Sequence, residues 1–264
     1  MAMEQISRAL QKAKLERGWT TTGRGFAQSV RDLKAPRDAT LSYTQTKIVP
    51  VSRAALRRNR IVAGHRDSEV AETFRLLRAQ VLRRMAKLGV STLGITSVSN
   101  GEGKTFVAAN LALAIALDVN QTVLLVDADM RSPGIAPAFG IENDRGLSDY
   151  LKNEAELSEC LINPGLERLV MLPTVNPTEQ SAELLTSPRM AALAHELKVR
   201  YPDRVIIYDL PPLLTSGDTL GFLPQIEATL LVMREGAVKS AELRRAAHLL
   251  DDHHLLGTVL NGMA

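Results

Sequence analysis

Between residues 67 and 87 the apolar positions Val70, Phe74, Leu77, Val81 and Met85, continued by Leu88, recur at spacings of three and four. That is the period of one face of an α-helix, and Asp67 or Ser68 supplies the residue that caps its start. Beyond it the pattern changes. Short apolar runs at 92–97, 122–126, 169–172, 205–208, 229–233 and 256–260 alternate with helical patterns at 104–118, 188–200, about 218–223, and 240–250. Strand and helix in alternation predict an α/β fold, a mainly parallel, doubly wound sheet flanked by helices. Ligands of such sheets bind at the carboxyl ends of the strands.

The amino-terminal part reads differently. Ile6, Ala9, Leu10, Ala13 and Arg17 lie at helical spacing and predict a short amphipathic helix over 4–17. Gly18, Gly23, Gly25, Pro36 and many Thr and Ser residues then mark a linker. The expected division is therefore an extension over 1–47 and an α/β domain over 48–264, with the long helix at about 67–88 at the front of the domain.

Charge sharpens this division. Residues 1–90 hold 19 Lys and Arg against 7 Asp and Glu, whereas 91–264 hold 13 against 22. A basic arm before an acidic body suits an acidic partner, a lipid surface, nucleic acid, or the acidic body of another subunit. No aromatic residues of the kind that stack bases interleave the arginines, so subunit contact is the expectation and nucleic acid is not. The single Cys160 excludes an internal disulfide, no Cys/His spacing suggests a zinc site, and no apolar stretch approaches the ~20 residues of a membrane span. The first residues lack an apolar signal core, and the expected location is the cytoplasm.

The chemistry is concentrated after the first strand, in SVSNGEGKTFVAANLALAIA. Here a strand, a glycine-bearing loop and a helix follow one another. Gly101 and Gly103 let the backbone curl so that N–H groups face phosphates, and the helix start at Lys104 adds its partial positive charge. Lys104 would reach the β- and γ-phosphates of ATP, and Thr105 would ligate Mg²⁺. Ser99, Asn100, Glu102 and Phe106 complete the candidate nucleotide-binding segment. Val98 stands where the first glycine of GxxxxGK[ST] is expected. Downstream, VLLVDADMRSPG ends a strand with Asp127 and Asp129, and VIIYDLPP ends another with Asp209. Carboxylates at these strand ends suit a Mg-phosphate site and proton acceptance from an attacking hydroxyl.

Together the loop SVSNGEGKT, the segment LLVDADMRSP, GLSDYL, ELLTSPRM, the strand VIIYDLPPLL and the terminal GTVLN resemble the bacterial tyrosine kinases (BY-kinases) of capsule and exopolysaccharide loci, in the form that pairs with a separate membrane co-polymerase. The resemblance runs from about 48 to 261. It implies Asp127 as the base acting on a tyrosine hydroxyl, with Lys104 on the phosphates. It implies Thr105, Asp129 and Asp209 around Mg²⁺, and Asn261 near the adenine of ATP or ADP. It also implies a ring assembled through an E-x-x-R-x-x-R helix, here Glu72, Arg75 and Arg78, and recruitment to the inner face of the cell membrane by the partner.

The family's acceptor is usually a tyrosine-rich tail, and no such cluster follows GTVLN here. Tyr150 and Tyr208 lie in motif segments and read as structural, so Tyr43 in LSYTQT is the candidate acceptor. Two other readings stand beside the kinase. One is a nucleotide-gated regulatory module of the same machinery with little catalysis; the other is a MinD or ParA type ATPase, against which counts the absence of a lysine at Ser99 or Asn100.

Overall fold

In the computed structural model, which describes residues 46–64, 68–200 and 203–262, all six apolar runs form strands. These are β2 (Thr92–Ser97), β3 (Thr122–Asp127), β5 (Leu169–Leu172), β6 (Arg204–Asp209), β7 (Ala228–Arg234) and β8 (Leu255–Asn261). Two further two-residue strands, β1 (Lys47–Ile48) and β4 (Ile162–Asn163), are too short to carry an alternation signal. The sheet order is β1-β4-β5-β3-β6-β2-β7-β8. The six strands named first are mutually parallel. β4 opposes β5, and β1 runs with β4. The outer two strands are thus reversed, and β1 begins at the edge of the sheet where β3 and β6 end.

The central strands β2 and β6 are buried along their whole length, as expected where helices cover both faces of a parallel sheet. The helix Lys104–Ala116 packs against this sheet on one side and against the helix Glu69–Leu88 on the other. Its residues from Val107 to Ala116 are all buried, which explains why it is apolar around its circumference rather than along a stripe. Helix Glu69–Leu88 starts at Ser68, whose Oγ accepts the Ala71 N–H at 3.4 Å, and stops at Gly89, whose φ of 68° ends the helix in the left-handed region. Ala71, Phe74, Val81 and Met85 form its buried face. Val70 and Leu88, expected on that stripe, are exposed at its two ends, beyond the reach of the core.

Asn110 fastens the preceding chain to the buried helix. Its Oδ1 accepts the Val62 and Ala63 N–H groups, and its Nδ2 donates to the Arg60 and Phe106 carbonyls. At the amino edge of the sheet, Glu227 Oε2 accepts the N–H groups of Ser91 (2.9 Å) and Thr92 (3.1 Å), while Oε1 receives Lys198 Nζ at 2.7 Å. Burial alone would raise its pKa, but Lys198 and these two N–H donors hold it below the ordinary glutamate value.

The helix expected over 4–17, the linker up to residue 45, Tyr43, His65, Asp67 and Tyr201 lie outside the described residues. Among the described residues no helix is long and apolar enough to cross a membrane.

Candidate active site

The loop after β2 is shaped by its own side chains. Gly101 and Gly103 have φ of 78° and 90°, values that L side chains rarely adopt. Glu102 is 1% exposed, and its carboxylate accepts the N–H groups of Val98 (3.1 Å) and Ser99 (3.0 Å) and the Ser99 hydroxyl (2.6 Å). The Glu102 side chain therefore holds the loop in shape from inside. Val98 is fully buried and packs with Leu213, Leu223 and Leu231, so at this position the loop is anchored by a side chain in the core.

Above the loop, Asn261 at the end of β8 donates from Nδ2 to the Glu102 carbonyl at 2.9 Å. A Cβ on Gly103 would lie 2.0 Å from that same nitrogen. The Phe106 ring turns away, edge to face with Phe74 at 5.6 Å between centroids, leaving its backbone at the first turn of the helix.

The three strand-end acids converge on the start of this helix. Asp127 and Asp209 are register partners on the adjacent strands β3 and β6. Thr105 Oγ1 donates to Asp209 Oδ2 at 2.6 Å, and Lys104 Nζ pairs with Asp129 Oδ2 at 2.7 Å. Asp129 Oδ1 accepts the Ser132 N–H, and Asp127 Oδ2 accepts the N–H groups of Gly134 (3.0 Å) and Ile135 (2.9 Å). Thr174, which lies outside every motif read along the chain, donates its hydroxyl to the Asp127 carbonyl at 2.7 Å and steadies the end of β3.

Crowding these carboxylates without water sets their proton affinities. Burial, then repulsion from Asp209, raises the pKa of Asp127 well above the usual range. Burial raises Asp209 to about 6, with Lys104 and Thr105 pulling the other way. Burial works against the Lys104 ammonium, yet Asp209, Asp129 and Asp127 outweigh it, and its pKa is raised.

Asp127 Oδ1 and Asp209 Oδ1 are buried without a hydrogen-bond partner. Orphaned carboxylate oxygens of this kind are costly, and they fit a site that takes a hard cation. Among the described residues no three acidic, His or Cys side chains form a cage. Mg²⁺ needs none, because it is bound through one or two carboxylates together with phosphate oxygens and water.

Beside this cluster opens a cleft of about 320 Å³ lined by Asn100, Asp129, Arg131, Ser132, Pro211, Pro212, Thr215 and Ser216. Two hydroxyls, of Thr96 (2.7 Å) and Thr219 (2.6 Å), donate to the Pro211 carbonyl and fix the apolar wall. On the opposite wall, Arg131 Nε donates to the buried Asp218 at 3.0 Å, and Nη1 to the exposed Glu179 at 2.8 Å. Arg131 stood in the motif segment without an assigned partner; Asp218 carried no signal in the sequence beyond starting a helix.

Of the residues expected at a subunit contact, Glu72 and Arg75 pair with each other at 2.6 Å. Arg78 turns inward, Nη1 donating to the Ala114 carbonyl at 3.0 Å near the end of the buried helix.

No family model matches the chain. Tyrosine-protein kinase YwqD of Bacillus subtilis is 30% identical over 209 residues, which cover 78% of this chain and 87% of YwqD. The chain belongs to the bacterial tyrosine-protein kinases. The kinase domain of the Escherichia coli tyrosine kinase ETK superposes with a TM-score of 0.71 at 27% identity, over 82% of this chain and 89% of that domain. MinD of Pyrococcus horikoshii, solved with Mg-ADP, covers 64% of this chain with a TM-score of 0.55 at 24% identity, a likeness of fold. The bacterial tyrosine kinase domain seen here is thus built on the P-loop ATPase sheet, with its loop, acids and cleft at one edge.

Proposed function

We propose that this chain transfers the γ-phosphoryl group of ATP to a protein tyrosine and thereby regulates exopolysaccharide or capsule synthesis together with a membrane co-polymerase. The observation that carries the chemical part is the convergence of Lys104, Thr105, Asp127, Asp129 and Asp209 beside an open cleft. Lys104 and the loop N–H groups would bind the phosphates, and Thr105, Asp129 and Asp209 would hold Mg²⁺. Bound there, the ion would offset charge on the phosphate oxygens.

Asp127, at the end of β3 next to Asp209, would take the phenol proton. Asn261 lies against the loop and would border the nucleotide. Assembly into a ring through Glu72 and Arg75, and attachment to the inner face of the membrane through a partner, complete the reading; the basic excess of residues 1–90 supports such contacts.

The regulatory-module reading differs in one outcome. Incubation of the pure protein with Mg-ATP and a tyrosine-containing copolymer, followed by phosphotyrosine detection, should give signal in wild type. Lys104→Met and Asp127→Asn should lose it. A wild type that binds ATP but labels no tyrosine would favour the module.

A further inference from the structure

The order of the strand tips sorts the catalytic edge into two sides. From β3 it runs β3-β6-β2-β7-β8, with the phosphate loop after β2, Asn261 against that loop at the end of β8, and acids at the ends of β3 and β6. A nucleotide bordered by Asn261 therefore meets the acids with its phosphate end. The cleft lies beyond that meeting point. It opens between the turn after β3, which carries Asp129 and Arg131, and the turn after β6, which carries Pro211 and Pro212. This is the side from which a phosphoryl acceptor approaches.

Two consecutive buried residues hold the two walls of this cleft. Asp218 accepts Arg131 Nε at 3.0 Å, and Thr219 donates its hydroxyl to the Pro211 carbonyl at 2.6 Å. The proline wall is also tied to β2 and the phosphate loop, because the Leu213 and Leu214 N–H groups donate to the carbonyls of Ser97 and Val98. Burial alone would raise the Asp218 pKa, but its donors, Arg131 among them, hold it below the usual carboxylate value. Asp218 therefore stays ionised at neutral pH and keeps the guanidinium in place. Arg131 itself stands at the mouth, since its Nη1 reaches Glu179, whose side chain is 96% exposed. Lys104 pairs with Asp129 at depth, so the guanidinium lies on the path of the acceptor rather than over the phosphates. Its hydrogen bonds lie in the guanidinium plane, which leaves the flat faces for contact with an aromatic ring. The same contact exists elsewhere in this chain: the Arg189 guanidinium lies 4.2 Å from the centre of the Tyr150 ring while its Nε donates to the Tyr150 carbonyl.

We propose that Arg131, positioned by Asp218, seats the acceptor: the ring of a substrate tyrosine enters the cleft between the Arg131 guanidinium and the wall of Pro211 and Pro212, with its phenol oxygen toward the acids. This rests on the kinase reading given above. An aromatic side chain suits such a gap, because one face meets apolar proline and the other meets a cation. A serine or threonine hydroxyl stays close to its own backbone and leaves the gap unfilled, so the seat selects tyrosine. Once the ring is seated, the phenol oxygen bonds to the γ-phosphorus, the bond from that phosphorus to the β–γ bridging oxygen breaks, ADP leaves, and the phenol proton passes to Asp127.

The test uses the full chain with two probes, a tyrosine-containing copolymer as acceptor and the same polymer with phenylalanine in place of tyrosine as a ligand that cannot react. Arg131→Met should raise the KM for the copolymer roughly 3- to 30-fold, the range expected for a lost cation–π contact. Binding of the labelled phenylalanine polymer, followed by fluorescence anisotropy, should weaken by the same factor. The kcat at saturating acceptor and the calorimetric ATP affinity should stay near wild type, which separates seating of the acceptor from a general loss of structure. Asp218→Asn should act in the same direction by loosening the guanidinium. Arg131→Lys keeps a charge beside Asp218 without the flat face, and supplies the same comparison if the methionine variant is too unstable to assay. Unchanged KM and unchanged polymer binding in the Arg131 variants would overturn the proposal, and so would a fall in kcat alone, which would put Arg131 on the phosphoryl group. A wild type that binds ATP, and binds the phenylalanine polymer through Arg131, yet labels no tyrosine would remove the kinase reading and leave the seat standing.

Discussion

Asn261, the last residue of β8, donates its side-chain amide to the carbonyl of Glu102, so the final strand of the sheet closes over the phosphate loop that follows β2. Two segments more than 150 residues apart are joined at the point where the loop turns into its helix. Gly103 makes this approach possible, because any side chain there would occupy the space of the Asn261 amide. Gly103→Ala should accordingly lose nucleotide binding and cost about 1–3 kcal/mol through its positive φ alone. Calorimetric titration with ATP and a thermal melt would show it, and an alanine variant that binds ATP normally would refute the close contact.

Glu102 holds two loop amides and a hydroxyl with one buried carboxylate. Glu102→Ala leaves the Val98 and Ser99 N–H groups without acceptors, at a cost of about 1–3 kcal/mol for a buried donor. The expected outcome is a lower Tm together with weaker ATP binding, although the side chain itself is buried within the loop. Unchanged hydrogen exchange at Val98 and Ser99 would contradict this role.

Asp209 sets a pH dependence with a definite sign. Its folded pKa, about 6, lies above the ordinary unfolded value, so the folded state favours the proton. The stabilising contribution is full at pH values below the unfolded pKa and is lost as pH rises through about 6. Without Mg²⁺ or nucleotide, Asp209→Asn should therefore stabilise the protein at pH 7.5, on the order of 1–3 kcal/mol, with a smaller gain at pH 4. Mg-dependent nucleotide binding by wild type should weaken below about pH 6, where the carboxylate becomes protonated. Denaturant titrations at the two pH values would check the first claim, and Mg²⁺ titrations the second.

On helix Glu69–Leu88, Arg78 turns inward while Arg75 pairs with Glu72. Arg78→Ala should lower stability by about 1 kcal/mol, because it removes the donor to the Ala114 carbonyl. If the proposed ring forms through this helix, Arg75→Ala should lower the mass in light scattering. An assembly unaltered by Arg75→Ala would dismiss the ring.

Much of this was legible in the sequence because the relevant signals are local. The runs at 92–97 and 169–172 match their strands end to end, since strands between helical layers are buried on both faces. The helix 188–200 likewise matches. The short strands β1 and β4 were not legible, because two residues carry no period and β1 finds its partner β4 over 100 residues away. The helices Arg53–Arg58, Ile135–Phe139, Leu147–Leu151, Leu157–Cys160 and Ser181–Leu185 span one or two turns and are formed by packing rather than by pattern. In the site, glycines, lysine and acids announced themselves by motif. The inward turn of Glu102, the Arg131–Asp218 pair and the use of Asn261 as a bridge depend on long-range geometry that spacing does not encode.

Glu227, at the far edge of the sheet from the chemistry, binds the first residues of β2 and, through Lys198, the helix that precedes β6. The foot of β2 and the helix leading into β6 are thereby tied to one carboxylate, so the anchor of these elements lies at the opposite end of the sheet from the loop after Ser97 and from Asp209.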